Sequence, residues 1–346
     1  MRAFVADPED SGRTGKVHVV NLPDGRVIES LPALHNPDVA VSPDGSALYV
    51  VQTNLDVDIR DPARDELVIY DAQSLSARRK LTFMWRSLYN VVPAGPSLVF
   101  SRDGCFCHVN RTETLGDDAA HNTMLVYDVK AERFRERIIT LPYQVTSYGP
   151  VPDETGIFYA LSGRLGEAVA FADPLVHDEP PQMIDFGPDD PMRFQMAGAA
   201  ADHRQASVWV VSRPGLVLRW DVVTQRMSEP TFVELPADCI VPLQAVLTTA
   251  DELLLGVSPR EAAARGLAVC VFAYAITRGA LSLRACFPLD PPAERLALTP
   301  DGRELVALSR TERMLSVYDI ATGEVRTQVE RLGASPVSVA FAAYSW

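Results

Sequence analysis

The chain has 346 residues, 47% of them apolar, and no run approaches the ~18 apolar residues that a membrane-spanning helix needs. Its 32 Lys and Arg residues against 45 Asp and Glu residues give a net charge of −13. Because phosphate contacts dominate nucleic-acid affinity and anionic lipids attract cationic surfaces, this balance argues against a nucleic-acid partner and against a membrane partner. The composition is typical of a globular protein whose net charge keeps a large surface hydrated.

Short apolar strands repeat along the whole sequence. Three are predicted at the N-terminus, in Arg2–Ala6, Lys16–Leu22 and Arg26–Leu31. Repeating units follow, each with a strand, an x-x-Asp-Gly turn, a second strand, a polar loop, a third strand ending in an aromatic-Asp pair, and a fourth strand. A period of about 40 to 60 residues made only of strands is typical of propeller blades. The aromatic-Asp pairs are Tyr70-Asp71, Tyr127-Asp128, Trp220-Asp221 and Tyr318-Asp319.

Counting these units predicts an all-β, seven-bladed β-propeller that forms a single domain over residues 1–346. A seventh blade combines one C-terminal strand with the three N-terminal strands, which removes free sheet edges. The predicted turns at Asp44-Gly45, Asp103-Gly104 and Asp301-Gly302 suit antiparallel strand connections. The predicted blades are residues 36–83, 89–140, 144–186, 194–235, 242–289, 293–332, and 336–346 together with 1–31.

The cysteines and the N-terminus predict a reducing, cytoplasmic location. Five cysteines without a framework spacing indicate free thiols, and the N-terminus lacks the apolar core of a signal peptide. A metal site at Cys105-x-Cys107-His108 is a weak alternative, because strand geometry directs His108 away from the two thiols. We expect no metal and no cofactor. The acidic run in the long blade-one loop is interpreted as solvated, since it lacks the EF-hand glycine and closing glutamate; it comprises Asp56, Asp58, Asp61 and Asp65.

Residues at both ends of the chain form a pattern that is found in a known family. At the N-terminus they are Phe4–Pro8, Gly25–Ile28, Asn36-Pro37 and Asp44-Gly45. With a matching set at the C-terminus, they resemble the methylamine dehydrogenase heavy chain, a YVTN-type propeller family. The resemblance implies a seven-bladed propeller that supports a small, disulfide-rich light chain carrying a tryptophan-derived quinone. The C-terminal part of the resemblance is carried by Ala307-Leu308-Ser309, Tyr318-Asp319, Gly323-Glu324, Gln328, Leu332-Gly333 and Pro336.

Three features differ from that family. Family members are exported, whereas this sequence shows no signal, and they carry an N-terminal extension that is not found here. The bulky apolar residue that gates the family's amine channel corresponds to Ala33 or Leu34, with His35 adjacent. These differences favour a retained scaffold with a changed task.

The starts of the innermost strands predict a site at the channel mouth. Carboxylate, imidazole, guanidinium and aromatic groups converge there, which suits a small-molecule pocket with acid–base chemistry. Glu294 is predicted as the catalytic acid–base group, with Asp38 or His35 as the second. Arg193 and Arg295 are predicted to hold an anionic group, and the aromatic residues to stack on a ring. The full set of predicted substrate-binding residues is Arg193, Arg295, Arg86, Trp85, Tyr89, Phe194 and Gln195.

Two functions fit these observations. One is a cofactor-free biosynthetic enzyme that condenses an aromatic amine with an aldehyde or anionic co-substrate and cyclises the product, as in a Pictet–Spengler reaction. The other is a non-catalytic, heavy-chain-like scaffold that binds a small quinone-bearing subunit of an amine dehydrogenase. The missing signal and extension favour the enzyme. The sequence does not identify the substrate.

Overall fold

The structure is a computed structural model. It describes residues 1–8, 14–54, 65–83, 98–115, 119–141, 144–150, 156–163, 166–172, 182–186, 196–202, 206–242, 245–249 and 251–342. Within 110–123, 137–148 and 159–186 the description covers the backbone alone. The chain divides into two compact units. The first comprises Met1–Val92, Pro96–Leu98 and Ala293–Trp346, and the second comprises Pro93–Gly95 and Val99–Pro292.

The described chain is almost entirely β-structure, arranged as successive antiparallel meanders. This is the arrangement of a β-propeller, as the sequence predicts. The strands at the N-terminus are β1 (Arg2–Asp7), β2 (Thr14–Asn21), β3 (Arg26–Val41), β4 (Ala47–Thr53), β5 (Asp65–Asp71) and β6 (Ala77–Phe83). The next two sheets contain β7 (Leu98–Phe100), β8 (Phe106–Leu115), β9 (Ala119–Asp128), β10 (Arg133–Leu141), then β11 (Gln144–Pro150), β12 (Ile157–Gly163), β13 (Gly166–Ala172) and β14 (Gln182–Phe186).

The remaining sheets follow the same order along the chain. One contains β15 (Met196–Asp202), β16 (Ser207–Ser212), β17 (Leu216–Asp221), β18 (Arg226–Met227) and β19 (Thr231–Phe232). The next contains β20 (Cys239–Ile240), β21 (Val246–Thr248), β22 (Glu252–Pro259), the five-residue helix α1 (Arg260–Ala264) after β22, β23 (Ala268–Thr277) and β24 (Ala280–Ala293). The last contains β25 (Arg295–Leu298), β26 (Glu304–Ser309), β27 (Met314–Asp319) and β28 (Val325–Val329), and is followed by β29 (Ser338–Ala342).

The C-terminal strand joins the N-terminal strands, as the sequence predicts. The first sheet has the order β29-β1-β2-β3-β4-β5-β6, and Phe4 of β1 is opposite Ala340 of β29. The sequence predicts one strand ending at Leu31 and another starting near Asn36, but β3 is continuous across both. A register shift between His35 and Asp38 replaces the expected break, so β3 passes from β2 to β4 without a turn.

Strand β1 lies in the core of the first unit. Phe4 and Ala6 pack with Val39 and Leu48, whereas the alternate residues pack with strands β26 and β27. All four side chains from Ala3 to Ala6 have no exposed surface. Because successive side chains of a strand point to opposite faces, a strand buried on both faces needs this unbroken apolar run.

The predicted Asp-Gly turns have a common hydrogen-bonding pattern. In the first turn Ser42 donates its hydroxyl to Asp44, and Asp44 accepts the backbone N–H of Ser46 at 3.0 Å. Ser101 and Asp103, and Thr299 and Asp301, repeat this arrangement. The Asp-Gly turns predicted at these three positions are confirmed.

Candidate functional site

His35 lies in a polar row that crosses three strands of the first sheet. It is opposite Thr53 of β4, and Thr53 is opposite Asp65 of β5. The Thr53 hydroxyl donates to Asp65 Oδ1 at 2.6 Å. His35 is partly buried, while Asp65 has no exposed surface. Since residues opposite one another in a sheet share a face, an imidazole, a hydroxyl and a buried carboxylate lie side by side.

Asp38 lies in the neighbouring row. It is opposite Val51, two residues before Thr53, which separates the rows by about 7 Å along the strands. Asp38 is 5% exposed, and its Oδ1 accepts the backbone N–H of Val39 at 2.8 Å. The fold therefore places the predicted pair His35 and Asp38 near one another on one end of the sheet.

The opposite face of the same strands carries a second buried carboxylate, and its contacts are of another kind. Glu66 is 3% exposed, accepts a hydrogen bond from Gln52 Nε2 at 3.0 Å and pairs with Lys80 Nζ at 2.7 Å. Gln52 in turn accepts the backbone N–H of Leu34 at 2.9 Å. These contacts connect β3, β4 and β6 through the Glu66 carboxylate, whose charge is paired with Lys80. They have the properties of a structural network.

Glu294, the predicted catalytic carboxylate, lies between β24 and β25. Its Oε2 accepts the backbone N–H of Arg310 at 2.8 Å, and its Oε1 accepts the Thr311 hydroxyl at 2.9 Å. Both oxygens thus bind the turn that joins β26 to β27. Arg295 begins β25 and donates from Nε to the Val337 carbonyl at 3.3 Å, next to β29.

A chain of hydrogen bonds continues from this turn to the N-terminal strands. Arg310 donates from Nε to Ser335 Oγ at 2.5 Å, and Ser335 donates its backbone N–H to Asp7 Oδ1 at 2.7 Å. Asp7 Oδ2 also accepts the backbone N–H of Ala334 at 2.8 Å and contacts His18 Nε2 at 3.2 Å. We call Asp7, His18, Ala334 and Ser335 the closing network, because they fix the segment before β29 to β1 and β2.

The closing network sets the ionisation of Asp7. Burial by itself would raise the pKa of Asp7, but hydrogen bonds from His18 and from the backbone of Ala334 and Ser335 outweigh it and hold the pKa below its usual value. The other ring nitrogen of His18 is 2.8 Å from the exposed Ser30 hydroxyl. The carboxylate, imidazole and hydroxyl therefore form a continuous path for hydrogen bonding across three strands.

The predicted site residues are thus only partly located. Four of them belong to the first unit and form two separate groups, His35 with Asp38 and Glu294 with Arg295. The other predicted residues, Trp85, Arg86, Tyr89, Arg193, Phe194 and Gln195, lie outside the described residues.

The interpretation of Asp65 as part of a solvated loop is wrong. Asp65 begins β5 and is fully buried, whereas Asp56, Asp58 and Asp61 lie outside the described residues. No alternation in the sequence signals this burial, because Asp65 and Glu66 are both charged and both belong to β5. The sequence analysis also missed Asp7 and His18, whose contacts with the C-terminal segment connect distant parts of the chain.

The surroundings of Cys107, Cys270 and His108 disfavour their charged forms. Burial raises the pKa of Cys107 and lowers that of His108 to about 3. Burial, with Cys286 and Cys239 nearby, raises the pKa of Cys270 to about 12. Among the described residues, no group of three or more His, Cys, Asp or Glu side chains has an arrangement that could hold a metal ion.

Comparison with known proteins supports the fold. No family model and no curated protein matches the sequence. Among solved structures, the chain is similar to the β-propeller domain of Cps50 (Swd1) from Myceliophteria thermophila, with a TM-score of 0.60, 14% identity and 85% of each chain covered. It is also similar to a functionally unknown protein from Desulfotomaculum acetoxidans, with a TM-score of 0.63, 13% identity and coverage of 97% of this chain and 98% of that one.

A third similar structure is the hydrazine synthase of Kuenenia stuttgartiensis, with a TM-score of 0.59, 17% identity and coverage of 92% of this chain and 87% of that one. Identities this low carry information on fold alone. The comparisons and the sheet order together establish an all-β chain with a β-propeller arrangement. In the part of the chain that the structure describes, no helix has the length and apolar character needed to cross a membrane.

Proposed function

We propose that this protein is an acid–base enzyme that condenses an aromatic amine with an aldehyde and cyclises the product. The observation that carries the proposal is the row of His35, Thr53 and Asp65, in which a partly exposed imidazole is aligned with a fully buried carboxylate. Buried ionisable groups beside a group that can exchange protons with a ligand are typical of catalytic sites.

The chemistry needs a proton donor and later a proton acceptor. The amine adds to the aldehyde carbon, the resulting hydroxyl leaves as water after protonation, and the ring attacks the iminium carbon before losing a proton. An imidazole can serve in both proton transfers near neutral pH. The carboxyl groups of Asp38 and Asp65 lie on the same face, where they favour the cationic iminium over neutral ligands.

Glu294 is the second candidate for the proton transfers. Its contacts with Arg310 and Thr311 restrict it to one orientation, and the neighbouring Arg295 supplies a guanidinium for an anionic co-substrate. The predicted stacking residues Trp85, Tyr89 and Phe194, and the polar residues Arg86, Arg193 and Gln195, belong to the proposal as residues that bind the substrates.

The test is product formation from a panel of aromatic amines and aldehydes, followed by mass spectrometry. We expect His35→Ala to lower the rate by about 10²–10⁴-fold with the fold retained, the usual effect of one acid–base group. Thr53→Val, which breaks the hydrogen bond to Asp65, should lower the rate less. Glu294→Gln distinguishes the two candidates, since only the residue that transfers the proton should show the large loss.

The matched control is Lys80→Gln, which removes the ion pair on the opposite face of the same strands. It should leave the rate unchanged while lowering stability, because the buried Glu66 loses its counter-charge. If the wild-type protein forms no product from any pair in the panel, the enzyme proposal fails. If both His35→Ala and Glu294→Gln retain the full rate, the acid–base site lies elsewhere.

A scaffold subunit is the second candidate function. The observation that favours it is that both carboxylate oxygens of Glu294 are engaged by the fold itself. Together with the resemblance to methylamine dehydrogenase heavy chains, this supports a propeller that binds a small quinone-bearing light chain. Co-expression with a cysteine-rich small subunit of the light-chain type, followed by size-exclusion chromatography, tests it. Comigration supports the scaffold, and separate elution contradicts it.

We also propose that the propeller has seven blades and forms one domain. The seven-stranded sheet divides at β3 into a group of β29, β1, β2 and β3 and a group of β3 to β6, because β3 pairs with β2 over its first part and with β4 over its second. The five remaining sheets each contain at least four strands. A crystal structure with six or eight blades would contradict this count.

A further inference from the structure

Arg213 and Arg260 of the second unit are each hydrogen-bonded through the backbone to one short segment, residues 238–241. The backbone N–H of Val241 donates to the carbonyl of Arg213 at 2.8 Å, and the backbone N–H of Arg260 donates to the carbonyl of Asp238 at 3.1 Å. Between these bonds, β20 pairs with the end of β22, placing Cys239 opposite Pro259. Residues 238–241 therefore connect two places in the fold. One is the turn between β16 and β17, which begins at Arg213, and the other is the start of α1.

Neither guanidinium group has a counter-charge among the residues that the structure describes. Within the described residues 206–242, 245–249 and 251–342, neither Arg213 nor Arg260 forms an ion pair or a side-chain hydrogen bond, although the acidic residues Asp238 and Glu261 lie on the same segments. The Nε of Arg213 is buried and has no hydrogen-bond partner among these residues. A buried charged donor without an acceptor is costly, so this guanidinium gains from negative charge bound beside it.

The electrostatics agree with this geometry. Burial, and then the nearby charge of Arg260, lower the pKa of Arg213. Like charges near one another, one of them partly desolvated, disfavour the charged state, and a bound anion would relieve this. Arginine pairs suit oxyanions because the planar fork of each guanidinium binds two oxygens at once.

We propose that Arg213 and Arg260 form a binding site for a small oxyanion, a carboxylate or phosphate group of a ligand. The site is built from residues of the second unit alone, and it is independent of the acid–base chemistry assigned to His35 in the first unit. Arg213 supplies a partly buried guanidinium and Arg260 supplies a more exposed one.

Titration with inorganic phosphate and, separately, with succinate tests the site at a constant ionic strength set by sodium chloride. We expect at least one of these anions to raise the melting temperature and to bind measurably by calorimetry. Arg213→Gln and Arg260→Gln should each weaken binding by about tenfold or more, because each removes charge-assisted hydrogen bonds. The stronger of the two probes identifies the ligand as a phosphate or as a carboxylate.

Arg265→Gln is the matched control, since Arg265 is an exposed arginine at the other end of α1 and carries the same charge. It should bind as tightly as the wild type, which separates a specific site from general cationic attraction. In chloride buffer, Arg260→Gln should melt at the same or a higher temperature than the wild type, because it removes a repulsion. A structural ion pair would give the opposite shift.

Several results would overturn the proposal. These are the lack of an anion-specific effect on the wild type, equal loss of binding in Arg265→Gln, or a lower melting temperature of Arg260→Gln in chloride. If Arg213→Gln does not fold, Arg260→Gln, which replaces an exposed side chain, still decides the question.

Discussion

Gly333 shows how tightly one residue fits the closing network. Its φ is +68°, and a Cβ atom there would lie 1.9 Å from Asp7 Oδ2 and 2.6 Å from His18 Nε2. We expect Gly333→Ala to lower the free energy of unfolding by more than about 3 kcal/mol, since backbone strain is joined by a steric overlap within a buried polar pair.

Gly266 provides the control for that substitution. It also has a positive φ, +77°, but nothing lies within 4 Å of the position of its Cβ. Gly266→Ala should therefore cost only the conformational strain, about 1–2 kcal/mol. Urea denaturation of both variants measures the difference, and equal losses would show that the overlap at Gly333 is relieved at no cost.

Asp7 gives the closing network a pH dependence with a defined sign. Its pKa in the folded protein is below its usual value of 3.8, so its contribution to stability is complete above that value and is lost as the pH falls through the folded pKa. Asp7→Asn should lower the free energy of unfolding at pH 7 by at least about 2 kcal/mol, because hydrogen bonds to a charged acceptor are lost.

The comparison of wild type and Asp7→Asn across pH isolates this residue from the other carboxylates. We expect the stability difference between them to be constant from pH 7 to about pH 5 and to shrink between about pH 5 and pH 2. Chemical denaturation at each pH measures it. A difference that stays constant down to pH 2 would mean that Asp7 is not held in its charged form by the network.

Individual residues are also where prediction from the sequence reached its limit. His35 and Asp38 were predicted because the repeat places the start of an innermost strand there, whereas β3 in fact runs through both residues. Asp7 escaped because its acceptor role depends on Ala334, which is 327 residues away in the chain. The pairing of the C-terminal strand with the N-terminal strands brings such distant partners together, and no local sequence pattern indicates it.

At the scale of elements, one turn recurs at the ends of β5, β9 and β27. In the last of these, Asp319 accepts the backbone N–H groups of Ala321 and Thr322 at 2.9 and 3.0 Å and pairs with Arg326, seven residues later. Asp71 with Arg78 and Asp128 with Arg135 have the same spacing. The aspartate therefore does two things, capping the turn and pairing with the next strand.

These two roles can be separated by substitution. Arg326→Met removes only an ion pair whose arginine is 55% exposed, and should cost less than about 1 kcal/mol. Asp319→Ala also removes the acceptor for two backbone N–H groups, and should cost about 1–2 kcal/mol more than Arg326→Met. Thermal or urea unfolding measures both, and equal costs would mean that the turn does not depend on its cap.

The sequence predicted these elements well because their determinants are local. Asp-Gly turns, aromatic-Asp strand ends and strand alternation all lie within a few residues of one another. It failed for β3, which continues through the predicted break, because Pro32 and Pro37 were compatible with either a turn or a bulged strand. It also did not predict α1 or β20, which are too short to have a periodicity of their own.

At the scale of the whole chain, the arrangement of β29 beside β1 was the strongest prediction. It follows from counting, since one C-terminal and three N-terminal strands are left when the other repeats are assigned. Both faces of β1 are buried by neighbouring strands, so the N-terminal strands depend on sheets that are distant in sequence. Repetition therefore predicts the architecture, whereas the chemistry of the site depends on which residues each strand end carries.

Deleting residues 335–346 tests whether the C-terminal strand protects the first sheet. The deletion removes β29, which pairs with β1 from Arg2 to Ala6, and removes Ser335, which donates to Asp7. The exposed edge of β1 is apolar on both faces and offers unpaired backbone groups, so we expect aggregation and a lower melting temperature. Deleting only residues 343–346 keeps β29, which ends at Ala342, and should leave both properties unchanged. Light scattering and thermal unfolding distinguish the two variants, and a soluble, fully stable 335–346 deletion would show that β1 does not need its C-terminal partner.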